Sequence, residues 1–220
     1  VRRLRPDILL NDRLQVGGDI ITPEQFQPQS WVKRDDAPVI WEACHTFSGS
    51  WGYHRDEASW KNDEQLIRLL VESVSRGGNL LMNVGPTGRG ELDERALRAL
   101  DTYGEWMRLH SRSIYGCTQS PYPEPADARY TQKGRRLYAH LFSWPYGYVH
   151  LPELAGKVEY VQLLNDASEL QFIDDPKKGG EEGFRDRPES GSVVVRLPTL
   201  KPRVTIPVLE IFLKEGAEAL

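Results

Sequence analysis

Cysteine is scarce in this 220-residue sequence: Cys44 and Cys117 are the only two, and neither belongs to a Cys-x-x-Cys pair. Two isolated cysteines favour reduced, buried thiols over a disulfide framework. Five histidines are scattered along the chain without the spacing of zinc ligands. We therefore predict no metal site.

Phosphate-binding motifs are lacking as well. The glycine-rich run from Gly85 to Gly90 does not end in Gly-Lys-Ser/Thr, and it is followed by the acidic run 91–94. Carboxylates at that position would repel a phosphate group. We expect no nucleotide and no other cofactor.

Positive charge is not in excess: 28 Lys and Arg against 32 Asp and Glu give a formal net charge of -4. A nucleic-acid-binding domain normally has a basic patch, so we expect no nucleic-acid partner. No run approaches the roughly 20 apolar residues of a membrane span, so we expect no membrane partner. The sequence starts Val1-Arg2-Arg3 without methionine or an apolar leader. We expect the true N-terminus upstream, and the compartment stays open.

Aromatic residues, in contrast, are plentiful: six tryptophans and nine tyrosines. Aromatic rings pack against the C–H faces of sugars, so this composition suits carbohydrate binding. Filling of a hydrophobic core accounts for the same residues. Composition alone leaves both interpretations open.

The clearest pattern runs from Asn62 to Trp106. Asn62 to Gln65 predicts the capped start of a helix, and Gly77 predicts its end. The apolar run Leu80–Val84 then predicts a strand covered on both faces. A second helix follows from Asp93, with its buried side predicted at Leu97, Leu100, Tyr103 and Trp106. With strands predicted at residues 8–10 and 39–41, this is the pattern of a parallel sheet, whose strand ends usually carry the chemistry.

Three prolines between Pro121 and Pro125 predict a linker, after which the apolar pattern changes to alternation. Short strands are predicted at residues 129–131, 137–142, 148–151, 158–164, 170–173, 193–197 and 204–213. The charged run from Glu181 to Ser190 predicts an exposed loop. The fold class is thus α/β followed by all-β: residues 1–118 form part of an α/β domain, and residues 124–220 form an antiparallel β-sandwich. The first part has about three βα units, whereas a closed barrel needs eight.

Polar side chains at the predicted strand ends are the candidates for chemistry. Glycoside hydrolysis needs two carboxyl groups. Glu24 follows Pro23 near Phe26 and Trp31, and apolar surroundings allow a carboxyl group to hold a proton near neutral pH. Alternatively, Thr22-Pro23-Glu24 simply starts a helix, with Thr22 as its cap.

Three more residues stand at such positions. Glu42 follows Trp41 at a strand end and is either catalytic or a buried hydrogen-bonding residue. Arg13 follows Asp12 and either fixes a substrate oxygen or forms a structural ion pair. Trp51 lies between Gly49 and Gly52, which favours an exposed loop, although core packing remains an equal alternative. Other polar or aromatic candidates at these positions are Asp12, His45, Tyr53 and Asn83.

Several segments together resemble one family. Four segments have the order and approximate spacing of motifs in α-L-fucosidases, glycoside hydrolase family 29. They are Trp41-Glu42-Ala43-Cys44, Ser50-Trp51-Gly52-Tyr53, the run from Gly77 to Pro86 (GGNLLMNVGP) and Ser113-Ile114-Tyr115-Gly116. The resemblance covers residues 1–116 in sequence and the β-rich remainder in architecture only. It implies the C-terminal part of a (β/α) TIM-type barrel followed by the β-sandwich.

The resemblance also implies a retaining mechanism on terminal α-L-fucose, with a fucosylated glycan or fucoside as substrate. Glu24 would be the acid/base, with Glu42 as its rival. Arg13 would lie near the sugar ring, and Trp51 against its apolar face and methyl group. The family's nucleophilic Asp and fucose-binding histidines come from earlier barrel strands, and no Asp of this chain lies in that motif.

We therefore expect a truncated or split fucosidase that forms a homo-oligomer or joins a complementary chain, since a half barrel leaves strand edges unpaired. The alternative is a catalytically incomplete fragment that acts as a carbohydrate-binding or interaction module.

Overall fold

The computed structural model describes residues 1–15, 17–174 and 191–217. The helices are α1 (Asp63–Ser75) and α2 (Glu94–His110), with 3-10 turns at Asp12–Leu14 and Ser111–Ser113. The strands are β1 (Ile20–Ile21), β2 (Lys33–Arg34), β3 (Ala37–Pro38), β4 (Ile40–Thr46), β5 (Asn79–Asn83), β6 (Thr118–Gln119), β7 (Ala128–Lys133), β8 (Arg136–Leu141), β9 (Tyr148–Leu151), β10 (Val158–Leu163), β11 (Phe172–Asp174), β12 (Val193–Arg196) and β13 (Val208–Leu213).

Two compact units make up the chain, Val1–Thr102 and Tyr103–Leu220, and the division falls within α2. A mixed α/β part precedes a β-rich part, as predicted. The predicted domain limits, 1–118 and 124–220, stay a prediction.

The first unit is built on a parallel sheet in the order β1-β4-β5. Ile20 pairs with Ile40, and Cys44 pairs with Leu81. Isolated parallel bridges extend this sheet, from Asn11 to Ile20 and from Glu24 to Cys44. Because the strands are parallel, their carboxyl ends, and the side chains that follow them, meet at one edge.

Side chains of β4 alternate between two faces, as they do in any strand. Trp41, Ala43 and His45 are buried, whereas Glu42 and Cys44 point to the opposite face and are only half-buried. The Trp41 indole N–H donates a 3.1 Å hydrogen bond to the Arg76 carbonyl, just beyond α1. The predicted capping box of α1 is confirmed: Asn62 and Gln65 each accept a hydrogen bond from the other's backbone N–H.

Gly77 and Gly78 join α1 to β5 in a place where side chains do not fit. Gly77 has φ +73°, the left-handed conformation predicted for the helix end. A Cβ on Gly77 would lie 2.4 Å from the Trp31 ring, and a Cβ on Gly78 would lie 2.2 Å from the Trp41 ring. The two glycines therefore leave room for two tryptophans.

Three sequence predictions for this part of the chain are wrong. Residues 8–10 do not form a strand, and only an isolated bridge from Asn11 to Ile20 follows them. Leu97 and Leu100 of α2 are 46% and 40% exposed, and the buried positions are Ala96, Ala99, Trp106 and His110. Trp106 is buried as predicted, so only the first two predicted positions are displaced, each by one residue. Strand β5 is not covered on both faces either, because Leu81 is exposed.

The second unit contains two antiparallel sheets, in the orders β10-β13-β8-β7-β6 and β11-β12-β9. Apolar side chains from both sheets form one core, among them Leu137, Leu151, Val193 and Leu209. The predicted hairpin between β7 and β8 is present and turns at Gly134, which has φ +53°. The predicted exposed loop 181–190 lies outside the described residues.

Buried histidines occupy the other face of the five-stranded sheet. Nε2 of His140 lies 3.0 Å from the Thr131 hydroxyl oxygen, and that hydroxyl donates to the Ser113 carbonyl. His110 stacks on Trp106 with ring centroids 4.6 Å apart. Burial lowers the pKa of His140 to about 3 and also lowers the pKa of His110.

We predict that acid destabilises this unit through these histidines. An unfolded histidine takes up a proton near pH 6.5, whereas His140 stays neutral in the fold down to about pH 3. Above pH 6.5 both states are neutral and the histidines cause no pH dependence. Below it the free energy of unfolding falls by up to about 1.4 kcal/mol per pH unit for each histidine.

Urea unfolding at pH 7 and pH 5 measures this slope. His140→Gln removes the ionisable group and is expected to flatten it, whereas His150→Gln, at an exposed histidine, is the control and leaves it unchanged. Equal slopes in the His140 variant and the wild type would contradict the assignment.

Candidate active site

One cavity of about 460 Å3 lies on the open face of the parallel sheet. All four predicted site residues line it: Arg13, Glu24, Glu42 and Trp51. The structure therefore brings together side chains that are up to 38 residues apart in the sequence. The other residues of its lining, which the sequence did not single out, are Asn11, Thr22, Cys44 and Leu81.

Strand pairing places the two carboxylates. Glu24 bridges Cys44, and Cys44 pairs with Leu81, so these three residues form one row across the sheet. The Gln25 N–H donates to the Cys44 carbonyl at 2.9 Å, and the Cys44 N–H donates to the Pro23 carbonyl at 2.8 Å. Glu42 lies two residues before Cys44 and hence on the same face. The alternative in which Thr22 caps a helix is wrong, because this segment continues the sheet.

Arg13 reaches the same cavity from a short turn. The Asn11 side chain accepts a hydrogen bond from the Arg13 N–H at 3.2 Å, and the Asp12 carboxylate accepts one from the Thr22 N–H at 3.0 Å. The Arg13 guanidinium forms an ion pair with the Glu24 carboxylate. Both side chains are more than 40% exposed, so this pair contributes no more than about 1 kcal/mol to folding.

Trp51 lies on the loop after β4 and is 39% exposed, which decides between the loop and core interpretations. The Asn83 side-chain amide donates a 2.5 Å hydrogen bond to the Trp51 carbonyl. Gly85 approaches the next residues so closely that a Cβ there would lie 2.5 Å from the backbone of Gly52. The loop is therefore attached to the end of β5.

Glu57 holds the same loop from its other side. Its carboxylate accepts hydrogen bonds from the Ser50 hydroxyl at 2.6 Å and from the Ser59 N–H at 2.7 Å. These bonds hold the pKa of Glu57 at about 2. Arg95 donates to the Glu57 carbonyl at 2.8 Å and stacks over the Trp60 ring. The sequence analysis missed Glu57, because no local pattern connects it with Arg95, 38 residues later.

Not every predicted candidate reaches the cavity. His45 lies on the buried face of β4, and burial lowers its pKa. Burial raises the pKa of the Cys44 thiol. The charge of Arg13 lowers this pKa, and the charges of Glu24 and Glu42 raise it, each to a lesser extent. Within the described residues, no group of three or more His, Cys, Asp or Glu side chains has the arrangement of a metal site. No helix in that part of the chain is long and apolar enough to cross a membrane.

Comparison with known proteins identifies the family. The family model for α-L-fucosidase matches residues 1–112, half of the chain. The chain belongs to the α-L-fucosidase family. The resemblance seen in the sequence motifs is thereby confirmed.

Relatives and solved structures from this family cover nearly the whole chain. Tissue α-L-fucosidase from Bos taurus is 31% identical over 191 residues, which is 80% of this chain and 39% of that protein. α-L-Fucosidase isoenzyme 1 from Paenibacillus thiaminolyticus is 34% identical with a TM-score of 0.86, over 97% of this chain and 52% of that one.

A Thermotoga maritima α-fucosidase solved in complex with fucose is 25% identical with a TM-score of 0.72, over 96% of this chain and 46% of that one. The chain thus spans about two fifths to one half of the length of its relatives.

Proposed function

We propose that Arg13, Glu24, Glu42 and Trp51 are this chain's share of a retaining α-L-fucosidase active site, which hydrolyses terminal α-L-fucosyl residues. The observation that carries the proposal is a single cavity lined by two carboxylates, a guanidinium and an exposed tryptophan, in a chain of this family. A related structure with fucose bound supports the choice of sugar.

Glu24 is the acid/base. A group that protonates a leaving oxygen has to reach the substrate, and the Glu24 side chain is exposed. Glu42 projects from within β4 and is half-buried, which makes it the second candidate. Arg13 forms an ion pair with the Glu24 carboxylate. Since their ion pair is exposed and weak, Arg13 exchanges it for substrate oxygens at little cost.

Double displacement needs a carboxylate that attacks the sugar carbon. The family resemblance assigns it to earlier barrel strands, so in this proposal the nucleophile comes from outside residues 1–220. In this proposal, β1, β4 and β5 are the C-terminal part of a (β/α) TIM-type barrel, and the second unit is a β-sandwich. Ile40 is exposed on the sheet, whose outer edges are β5 and, beyond β1, the isolated bridge at Asn11. A complementary segment, a second chain or a further copy of this chain covers them.

Trp51→Ala is expected to weaken binding of L-fucose about tenfold, or about 1.4 kcal/mol, because the sugar's apolar face and methyl group lose their aromatic contact. Trp51→Phe keeps a ring at this position and is expected to lose less. Isothermal titration calorimetry of this chain with L-fucose measures both losses.

Release of nitrophenol from 4-nitrophenyl α-L-fucoside, measured in parallel, separates two functions. Fucose binding with product formation supports the hydrolase. Fucose binding without product formation, when the segment that carries the nucleophile is also present, supports the alternative, a catalytically incomplete carbohydrate-binding module. Unchanged affinity in Trp51→Ala would contradict the role of Trp51 in either case.

A further inference from the structure

The second unit carries two depressions that share one tyrosine. Tyr148 lines both of them. The first has a volume of about 580 Å3 and includes Glu124, Asp127 and His150, and the second has about 460 Å3 and includes Glu169, Gln171 and Arg196. Both volumes fall within the range of small-molecule sites. Neither depression contains a residue of the proposed fucoside site.

The sheet β11-β12-β9 sets the positions of Tyr148, His150 and Arg196. Tyr148 and His150 are two residues apart on β9 and therefore share a face. Arg196 of β12 pairs with Tyr148, and Val194 pairs with His150, so these two residues lie on that face as well. Val194 is fully buried and forms part of the floor, whereas Tyr148 is 38% exposed.

The opposite face of the same strands is fixed in the core. Val149 and Leu151 of β9 pack there with Val193 and Val195 of β12. A strand anchored in this way cannot rotate its outward side chains by changing register, since a one-residue slip would expose the apolar set. The backbone positions of Tyr148, His150 and Arg196 are therefore fixed, which reduces the ordering cost of binding.

The chemistry of the two depressions suits a neutral polyhydroxylated ligand. A tyrosine ring offers an apolar face for sugar C–H groups, and carboxylate, amide and imidazole groups exchange hydrogen bonds with hydroxyls. Glu124 lies 3.7 Å from Arg129 and is compensated by it. Among the remaining charged residues of the lining, the two carboxylates of Asp127 and Glu169 outnumber the one guanidinium, that of Arg196. An excess of carboxylates disfavours phosphate, nucleic acid and acidic sugars.

We propose that the two depressions on either side of Tyr148, here called the Tyr148 groove, bind the neutral saccharide chain of a glycan. The tyrosine stacks on one sugar ring at the centre, and neighbouring sugar units occupy the depressions. This site is separate from the proposed fucoside site and does not depend on it.

Calorimetry of the full chain with lacto-N-neotetraose, a neutral tetrasaccharide without fucose, tests the proposal. Tyr148→Ala is expected to weaken binding at least tenfold, and Tyr148→Phe, which keeps the ring, is expected to lose far less. Tyr115→Ala changes an exposed tyrosine that lines neither depression and serves as the matched control, with unchanged affinity. Trp51→Ala is also expected to leave this affinity unchanged, so failure here is distinguishable from failure of the proposed fucosidase.

A sialylated form of the tetrasaccharide provides the charge test and is expected to bind more weakly. Far-UV circular dichroism establishes that each variant is folded. Absence of tetrasaccharide binding, or equal affinity in wild type and Tyr148→Ala, would overturn the proposal. So would a proline-rich peptide that binds in a Tyr148-dependent manner when the tetrasaccharide does not.

Discussion

Trp41→Ala is expected to lower the free energy of unfolding of the first unit by about 3–5 kcal/mol, the usual cost of removing a large buried aromatic side chain. Trp41 is fully buried, and its indole N–H is bonded to the Arg76 carbonyl. The loss is a large fraction of the 5–15 kcal/mol that stabilises a typical domain. Urea unfolding, followed by circular dichroism, measures this loss. Trp51→Ala, at an exposed tryptophan, is the control and is expected to change the free energy of unfolding by less than about 0.5 kcal/mol.

A double-mutant cycle with Gly78 makes this prediction sharper. Gly78→Ala alone is expected to cost about 1–3 kcal/mol, because the new Cβ would overlap the Trp41 ring. In the Trp41→Ala background that ring is gone, and the same substitution is expected to cost much less. Additive losses would show that the fit between Gly78 and Trp41 does not hold the strand in place.

Glu24→Gln, assayed with the segment that supplies the nucleophile, is expected to reduce hydrolysis of 4-nitrophenyl α-L-fucoside by about 100-fold to 10,000-fold, the range typical of a lost general acid/base. Glutamine has nearly the same shape and retains an oxygen that accepts a hydrogen bond from Arg13, so folding is expected to be unchanged. The substitution removes the group that gives up and regains a proton. The initial rate of nitrophenol release measures the loss.

Glu42→Gln is the matched control for this experiment, because Glu42 lines the same cavity. The loss in Glu24→Gln is expected to shrink with a dinitrophenyl leaving group, which departs without protonation. A purely structural role of Glu24 would give the same loss with both leaving groups. A larger loss in Glu42→Gln than in Glu24→Gln would transfer the acid/base role to Glu42.

Much of the fold could be predicted because it is decided by neighbouring residues. The capping box at Asn62 and Gln65 and the left-handed Gly77 are local geometry, so a sequence motif is enough to predict them. Arg13, Glu24 and Glu42 were predicted as neighbours at the ends of parallel strands. For Glu42 the strand end is wrong, because β4 continues to Thr46 and Glu42 meets the others on the face of the sheet. Their shared cavity confirms that they lie together, while their catalytic roles stay proposals.

What could not be predicted depends on distant residues. The burial of Ala96 and Ala99 instead of Leu97 and Leu100 depends on which side of α2 faces the rest of the protein, and the helical period is the same for both. Glu57 holds the Trp51 loop through contacts that include Arg95, and such contacts leave no trace in spacing. Leu81 is exposed because it lies on the face of the sheet that lines the cavity, and the sequence of a strand does not show which face is covered.

Titration of the ¹⁵N-labelled chain with methyl α-L-fucoside, followed by ¹H–¹⁵N correlation spectra, tests the central claim most directly. The proposed site predicts that the Trp51 indole N–H and the backbone amides of Arg13, Glu24 and Glu42 shift together, with one dissociation constant. Resonances that shift only elsewhere, for example at Tyr148, or that do not shift at all at saturating fucoside, would contradict it.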